Sequence, residues 1–306
     1  MSGRKKKLEL VALVITFVFS IGIFCFALFW FNQEPTDGLP RTAITADYSF
    51  AKEVSKLPFA GATAFCLSPD GRFWIANGDG LVKLTRQGRI VEKVPAVSSL
   101  ATLHLAQDTI YGALRNIVYK MDLSKGARMV KPLIVLEEGS LVTSLALSGD
   151  RLFVADCAKR RILAFSLAGK LLWQSKGERG FVIPSPYFAL CADGEGGAWV
   201  VNPGKRRFEK YDKDGRYERL WQPHKEHKFI GCCNPSKMMV LPDGSVITLE
   251  KGMLRSRHFN PDGSLREVLI KAGAVLSKDF TFDLAVDDDG QVFVLVKHAN
   301  LILKVR

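Results

Sequence analysis

The densest concentration of reactive side chains lies within ten residues, where His224, His227, Cys232 and Cys233 spell His-x2-His-x4-Cys-Cys. Imidazole and thiolate together suit zinc or copper, so a bound metal ion is one reading, although the spacing matches no zinc-finger pattern. In an oxidising compartment the vicinal cysteines have others, a strained disulfide or separate pairings, and plain structural thiols remain an alternative. Two basic runs, Lys159-Arg160-Arg161 and Lys205-Arg206-Arg207, offer a second chemistry. A guanidinium presents a planar fork that fits carboxylate or phosphate. Carboxylates to work beside them are few: Asp156, Glu250 and Asp283. The chain has no G-x-S-x-G elbow, H-E-x-x-H, Walker loop or Rossmann fingerprint, and no Cys-x-x-Cys-His for covalent haem. No cofactor is fixed by motif, and a metal ion is the one candidate.

These residues are carried by short β-rich runs, not by helices of long period. Asp-Gly and similar turns divide the chain into six units, with paired runs such as TAFCLSPDGRFWIA, TSLALSGDRLFVAD and FDLAVDDDGQVFVL. Counted at Gly71, Asp108, Asp150, Gly196, Gly244 and Gly290, the steps are 37, 42, 46, 48 and 46 residues. Most units add a third and fourth run, as in RILAFSLAGKLLWQ (161–174) and FEKYDKDGRYERLW (208–221). Four strands at a period of 40-odd residues is the sequence form of a propeller blade. The expectation is therefore an all-β, six-bladed propeller over residues 44–306. Its sixth unit stops at Arg306 after a third strand, LILKVR, so a strand from the Ile44–Val54 stretch is expected to close it.

Blade geometry then gathers the chemistry. In a four-stranded antiparallel blade, the loop between strands two and three opens on the same face as the loop that enters strand one. That face is expected to carry Asp156, Cys157, Lys159, Arg160 and Arg161 of blade three. Blade four brings Ser185, Tyr187, Asn202, Lys205, Arg206 and Arg207. Blade five brings Cys232, Cys233, Asn234, Glu250, Lys251, Arg255 and Arg257, and blade six Asp283. Cys66 and Cys191 occupy equivalent first-strand positions and read as buried structural thiols.

Ahead of the repeats, Leu10 to Phe31 is a run of 22 uncharged residues. As a helix it would be about 33 Å long, enough for a hydrocarbon core of about 30 Å. Arg4, Lys5, Lys6 and Lys7 precede it and place its N-terminal side in the cytoplasm. The run is too long for a signal-peptide core and ends in Phe29-Trp30-Phe31 without an A-x-A site. The reading is a cytoplasmic basic tail (1–7), an uncleaved signal-anchor helix through the bilayer (8–31), a linker (32–43) and an exported propeller. Net charge is +12; residues 1–33 hold four basic and one acidic side chain, leaving +9 outside. Outside the cell interior this excess does not point to nucleic acid.

The segment LFVADCAKRRILAFSLAGKLLWQSKG (152–177) resembles the unit of NHL-repeat propellers, and the likeness covers roughly residues 60–306. PSPYFAL, NPGKRRFEKY, FIGCCNP, EKGMLR and FDLAVD, in that order, resemble a bacterial group of NHL-type proteins from which no activity carries over. NHL propellers serve mostly as binding platforms, though a lyase and lactonase-like hydrolases share related frames. The resemblance implies a binding or scaffolding module in the bacterial inner membrane, its propeller in the periplasm, meeting a protein of a membrane complex or an anionic ligand on this rim. A redox- or metal-linked role for Cys232-Cys233 is the first alternative. A lactonase-like site at Asn202, Glu250 and Asp283 is the second.

Overall fold

The computed structural model describes residues 48, 50–125, 130–231, 233–251, 255–271, 282–287 and 289–306, all inside the unit Ala46–Arg306. The expected tail, anchor and linker lie outside them, as does Cys232. Among the described residues no helix is long and apolar enough to cross a membrane.

Six four-stranded antiparallel sheets make the six blades of a propeller. After β1 (Glu53–Lys56), blade one is β2 (Ala64–Leu67), β3 (Phe73–Asn77), β4 (Gly80–Leu84) and β5 (Ile90–Pro95). Blade two is β6 (Thr102–Ala106), β7 (Thr109–Leu114), β8 (Ile117–Asp122) and β9 (Val130–Val135). Blade three is β10 (Val142–Ser148), β11 (Arg151–Asp156), β12 (Arg161–Ser166) and β13 (Leu171–Ser175). Blade four is β14 (Leu190–Ala192), β15 (Ala198–Asn202), β16 (Arg207–Tyr211) and β17 (Tyr217–Trp221). Blade five is β18 (Lys237–Val240), β19 (Val246–Glu250), β20 (Arg255–Phe259) and β21 (Leu265–Ile270). Blade six is β22 (Phe282–Val286), β23 (Val292–Val296), β24 (Leu301–Lys304) and, outermost, β1.

The sequence explains why the sheets stack. Second strands such as Phe73–Asn77, Ala198–Asn202 and Val292–Val296 are buried at every position, because both faces are covered by neighbouring blades. Outermost strands face solvent, as in Leu171–Ser175, where no residue is buried. The apolar residues sort into six clusters, one in each gap between adjacent blades. Between blades four and five, Phe208 stacks on Trp221 with centroids 5.0 Å apart, and Phe229 and Phe259 pack edge-on nearby. Each such ring contributes about 1.5–3 kcal/mol by burial. The first strand of each blade packs on the first strands of both neighbours, so β2, β6, β10, β14, β18 and β22 ring an axis. Turns between first and second strands need a left-handed residue, and Gly244 (φ 77°) and Gly290 (φ 72°) supply it without a Cβ penalty.

The ring closes between its two ends. β1 runs antiparallel to β24 from Glu53↔Lys304 to Lys56↔Leu301, later in the chain than most of the 44–54 stretch. Arg86 of blade one crosses the same seam, with Nη2 2.8 Å from Asp287 and Nη1 3.1 Å from Gln291. The Ser55 hydroxyl donates to the Arg86 carbonyl at 2.6 Å.

Candidate functional site

The loops between second and third strands carry most of the side chains singled out by sequence. Three pairs in them are direct cross-strand neighbours: Asp156↔Arg161, Asn202↔Arg207 and Glu250↔Arg255. Asp156 is fully buried and accepts the Leu141 N–H at 3.0 Å, the Lys159 N–H at 3.3 Å and Arg161 Nε at 3.0 Å. Arg161 also pairs with Glu137 at 2.6 Å. Asn202 accepts the Val182 N–H at 3.0 Å and donates to Glu209 at 2.9 Å. Glu209, also fully buried, takes Arg207 at 2.8 Å and the Tyr211 hydroxyl at 2.7 Å. Burial, and then the Glu209 carboxylate, push the Tyr211 phenol upward. Glu250 holds Arg255 through Nε at 2.9 Å and through Nη2, and Arg257 at 2.8 Å. Arg257 in turn donates to the His227 carbonyl at 2.7 Å and lies over the Phe229 and Phe259 rings.

Arg161, Arg207, Arg255, Arg257, Asp156, Asn202 and Glu250 are therefore committed to bracing the loops. Buried charge needs such partners, and removing one member of a pair costs about 3–5 kcal/mol. Of the set Asn202, Glu250 and Asp283, only Asp283 lines the central cavity described below.

Solvent-facing groups sit above these braces. Arg160 and Arg206 are exposed at the loop apices, with φ of 52° and 54°. Arg115 of blade two, which sequence reasoning did not single out, is exposed in the equivalent loop with φ 54°. The signal for it was positional: it lies in the corresponding turn one blade earlier. Lys205 donates to the Arg179 carbonyl at 2.7 Å. Between blades three and five, Lys251 stands over the Tyr187 ring, 3.9 Å from its centroid, and donates to the Ser185 hydroxyl at 3.1 Å. Asn234 holds this loop by accepting the Lys251 N–H at 2.9 Å and donating to the Ile230 carbonyl at 2.8 Å. The Cys157 thiol lies 3.9 Å from the Ser185 carbonyl. Burial, and then the charge of Cys233, push the Tyr187 phenol upward. Ile230, 65% exposed, and Val182, 45% exposed, add apolar surface to the neighbouring loops.

The histidines and cysteines are separated by these roles. His224 precedes and His227 ends a short 3-10 turn, and His224 lies 3.6 Å from Glu226. Among the described residues no three His, Cys, Asp or Glu side chains are grouped to hold a metal ion. Cys66, Cys157 and Cys191 carry buried free thiols. Burial pushes Cys191 up to about 12, and burial followed by the Asp283 charge pushes Cys66 up, which suppresses the reactive thiolate. Sequence reasoning also missed Ser245, His258 and Glu267, linked by contacts of 2.8 and 3.1 Å. That chain has triad connectivity, but Ser245 and His258 are fully buried and the serine hydroxyl donates to Asp243 at 2.5 Å.

Along the axis the first strands enclose a cavity of about 590 Å³. Its wall includes Asp283 with Lys237 at 3.1 Å, His104, Ser144, Arg86 and Asp287. Burial pushes His104 down to about 4, and its Nε2 accepts the Leu147 N–H at 3.3 Å.

No family profile and no curated protein matches this chain. Solved structures do match it. The streptogramin B lyase structure aligns with 83% of this chain and 97% of its own, at 12% identity and a TM-score of 0.57. The WD40 repeats of RRP9 align with 86% and 100%, at 11% identity and a TM-score of 0.60. Virginiamycin B lyase from Staphylococcus aureus aligns with 83% and 88%, at 12% identity and a TM-score of 0.53. At such identities the likeness carries the propeller fold alone.

Proposed function

We propose that this chain is a membrane-anchored, NHL-type binding and scaffolding propeller whose partner, a protein of a membrane complex, presents carboxylates to an arc of arginines. The observation that carries it is the run Arg115, Arg160 and Arg206, exposed at left-handed apices of three successive blades. A non-glycine residue there costs of order 1 kcal/mol or more, so three long cationic side chains in that conformation are a local expense without a packing return. Beneath two of them the Asp156–Arg161 and Glu209–Arg207 pairs hold the loops rigid. Ile230 and Val182 supply apolar area of the kind a protein partner covers. The uncharged run at 10–31 supports a bilayer anchor, with the propeller on the periplasmic side of a bacterial inner membrane.

The triple change of Arg115, Arg160 and Arg206 to Gly tests this, because glycine suits the same backbone. Stability should stay within about 1 kcal/mol of the parent. A photocrosslinker placed at Lys159 in the full chain should give a discrete adduct in membranes, lost in the triple variant. Persistence of the adduct would sink the reading.

A further inference from the structure

One row of side chains crosses every blade at the same register. In blade six it runs Phe293, Lys304, Glu53, and in blade one Trp74, Lys83, Glu92. In blade five it runs Ile247, His258, Glu267. Each of these rows ends outermost in a glutamate. Blade four departs from them, because Trp199 and Lys210 are followed by Arg219. Lys210 takes its carboxylates from elsewhere in the blade, Glu195 at 2.7 Å and Glu218 at 3.1 Å. Arg219 is exposed and lies 5.4 Å from the centroid of the Trp199 ring. It makes no hydrogen bond or ion pair with a described residue.

Beside that guanidinium a slot of about 180 Å³ opens between blades four and five. Trp199, Phe208, Trp221, Met238, Val246 and Pro261 form its wall. The gap between blades three and four is filled differently. There Trp173 holds the row position of Arg219 and packs on Phe153, with centroids 5.8 Å apart. Its Nε1 donates to the Lys213 carbonyl of the next blade at 2.8 Å. In blade four the corresponding bond, to the Pro261 carbonyl at 2.8 Å, comes from Trp221, two residues later in its strand. The place over Trp199 is thus left to Arg219, and the slot lies beside it.

We infer that this slot binds the C-terminal residue of a partner polypeptide, its large apolar side chain between the blades and its carboxylate on Arg219. A cavity of about 150 Å³ accommodates a benzene ring, so the slot takes one leucine or phenylalanine side chain. One unneutralised cation borders one space of side-chain size. The residue that carries both a carboxylate and a large apolar side chain is the last one of a chain. Arginine meets such a carboxylate with two parallel hydrogen bonds. Because the Trp221–Pro261 bond ties the two walls together, the slot is formed before its ligand arrives. Gly244 and Pro261, which also line it, belong to turns on the face opposite the arginine arc, so either site stands without the other.

Calorimetric titration of the purified full-length chain tests it, with N-acetyl-Gly-Ser-Gly-Phe bearing a free C-terminus as the probe. That peptide should bind with a Kd of about 1 mM or tighter. Its C-terminal amide, the free acid ending in alanine, and an amidated peptide with an internal Phe-Asp pair should each bind at least about tenfold more weakly. Arg219→Glu gives blade four the residue of blades one, five and six, so circular dichroism should match the parent. It should weaken the probe about tenfold or more. Val240→Phe fills the slot from blade five and should abolish binding. Arg219→Glu, at an exposed position, keeps the test decisive should Val240→Phe fail to fold. The inference is overturned if the probe fails to bind at about 10 mM, or if Arg219→Glu or a folded Val240→Phe binds it unchanged. A match by the amide or the alanine peptide overturns it too, and a match by the internal Phe-Asp peptide removes the C-terminus as the occupant. Loss of the probe in the triple glycine variant, with Arg219→Glu unaffected, would move the carboxylate to the arc and overturn it equally.

Discussion

The last residue of the second strand differs around the ring. In blades three, four and five it is Asp156, Asn202 and Glu250, each tied into a buried network containing a carboxylate and an arginine. In blades one, two and six it is Asn77, Leu114 and Val296. The Asn77 side chain makes a local turn, accepting the Asp79 N–H at 2.9 Å. One half of the face is braced by desolvated ion pairs and the other by hairpins and neutral hydrogen bonds, such as Asn116 Nδ2 to the Leu136 carbonyl at 2.8 Å. Within the braced half, the loops entering blades four and five are long, and the first of them carries Ser185 and Tyr187. Charge is buried here to hold a surface still, since apolar residues of equal volume would stabilise the chain as well.

The comparison breaks most visibly at Glu250. Glu250→Gln leaves Arg255 and Arg257 uncompensated and should cost about 3–5 kcal/mol in urea denaturation. Asn77→Ala, at the same register position in blade one, should cost only about 1 kcal/mol. Equal losses would erase the distinction between the halves. A second effect belongs to the axis. His104 stays neutral in the folded chain because burial lowers its pKa to about 4, whereas unfolding returns it to about 6.5. Below about 6.5 the unfolded chain binds a proton that the folded one refuses, so stability declines as pH falls toward about 4, by about 2–3 kcal/mol. In His104→Gln this acid limb should flatten; an unchanged limb would assign it to other groups. The smallest effect is at the seam between blades one and six. Arg86→Met should cost about 1–2 kcal/mol and speed hydrogen exchange in β1 and β24 before other strands.

Much of the fold was legible because turns and apolar pairs recur with the blade. The six Asp-Gly-type turns mark one face, and the incomplete sixth unit called for a strand from the other end, found at Glu53–Lys56. The braces were legible in principle. A spacing of five from Asp156 to Arg161 and from Glu250 to Arg255 spans one hairpin, which makes the two residues cross-strand neighbours. Read as free guanidinium forks, these arginines suggest a ligand, although their carboxylates lie directly across the same hairpins. Glu209 escaped notice because it lies two residues after Arg207 and reaches back on the same strand. The axial cavity was not legible at all. Lys237, His104 and Asp283 line one cavity only when six repeats close into a ring, and no spacing along the chain records that convergence.

The pairing of β1 with β24 has a mechanical consequence. Tension applied to the chain ahead of Glu53 is borne first by the four residue pairs from Glu53↔Lys304 to Lys56↔Leu301. A tether there would load the ladder that fastens the N-terminal strand into the last blade. Under force the ring should fail by detaching this strand first, and a propeller hung from its N-terminal side would respond to pull at its own clasp.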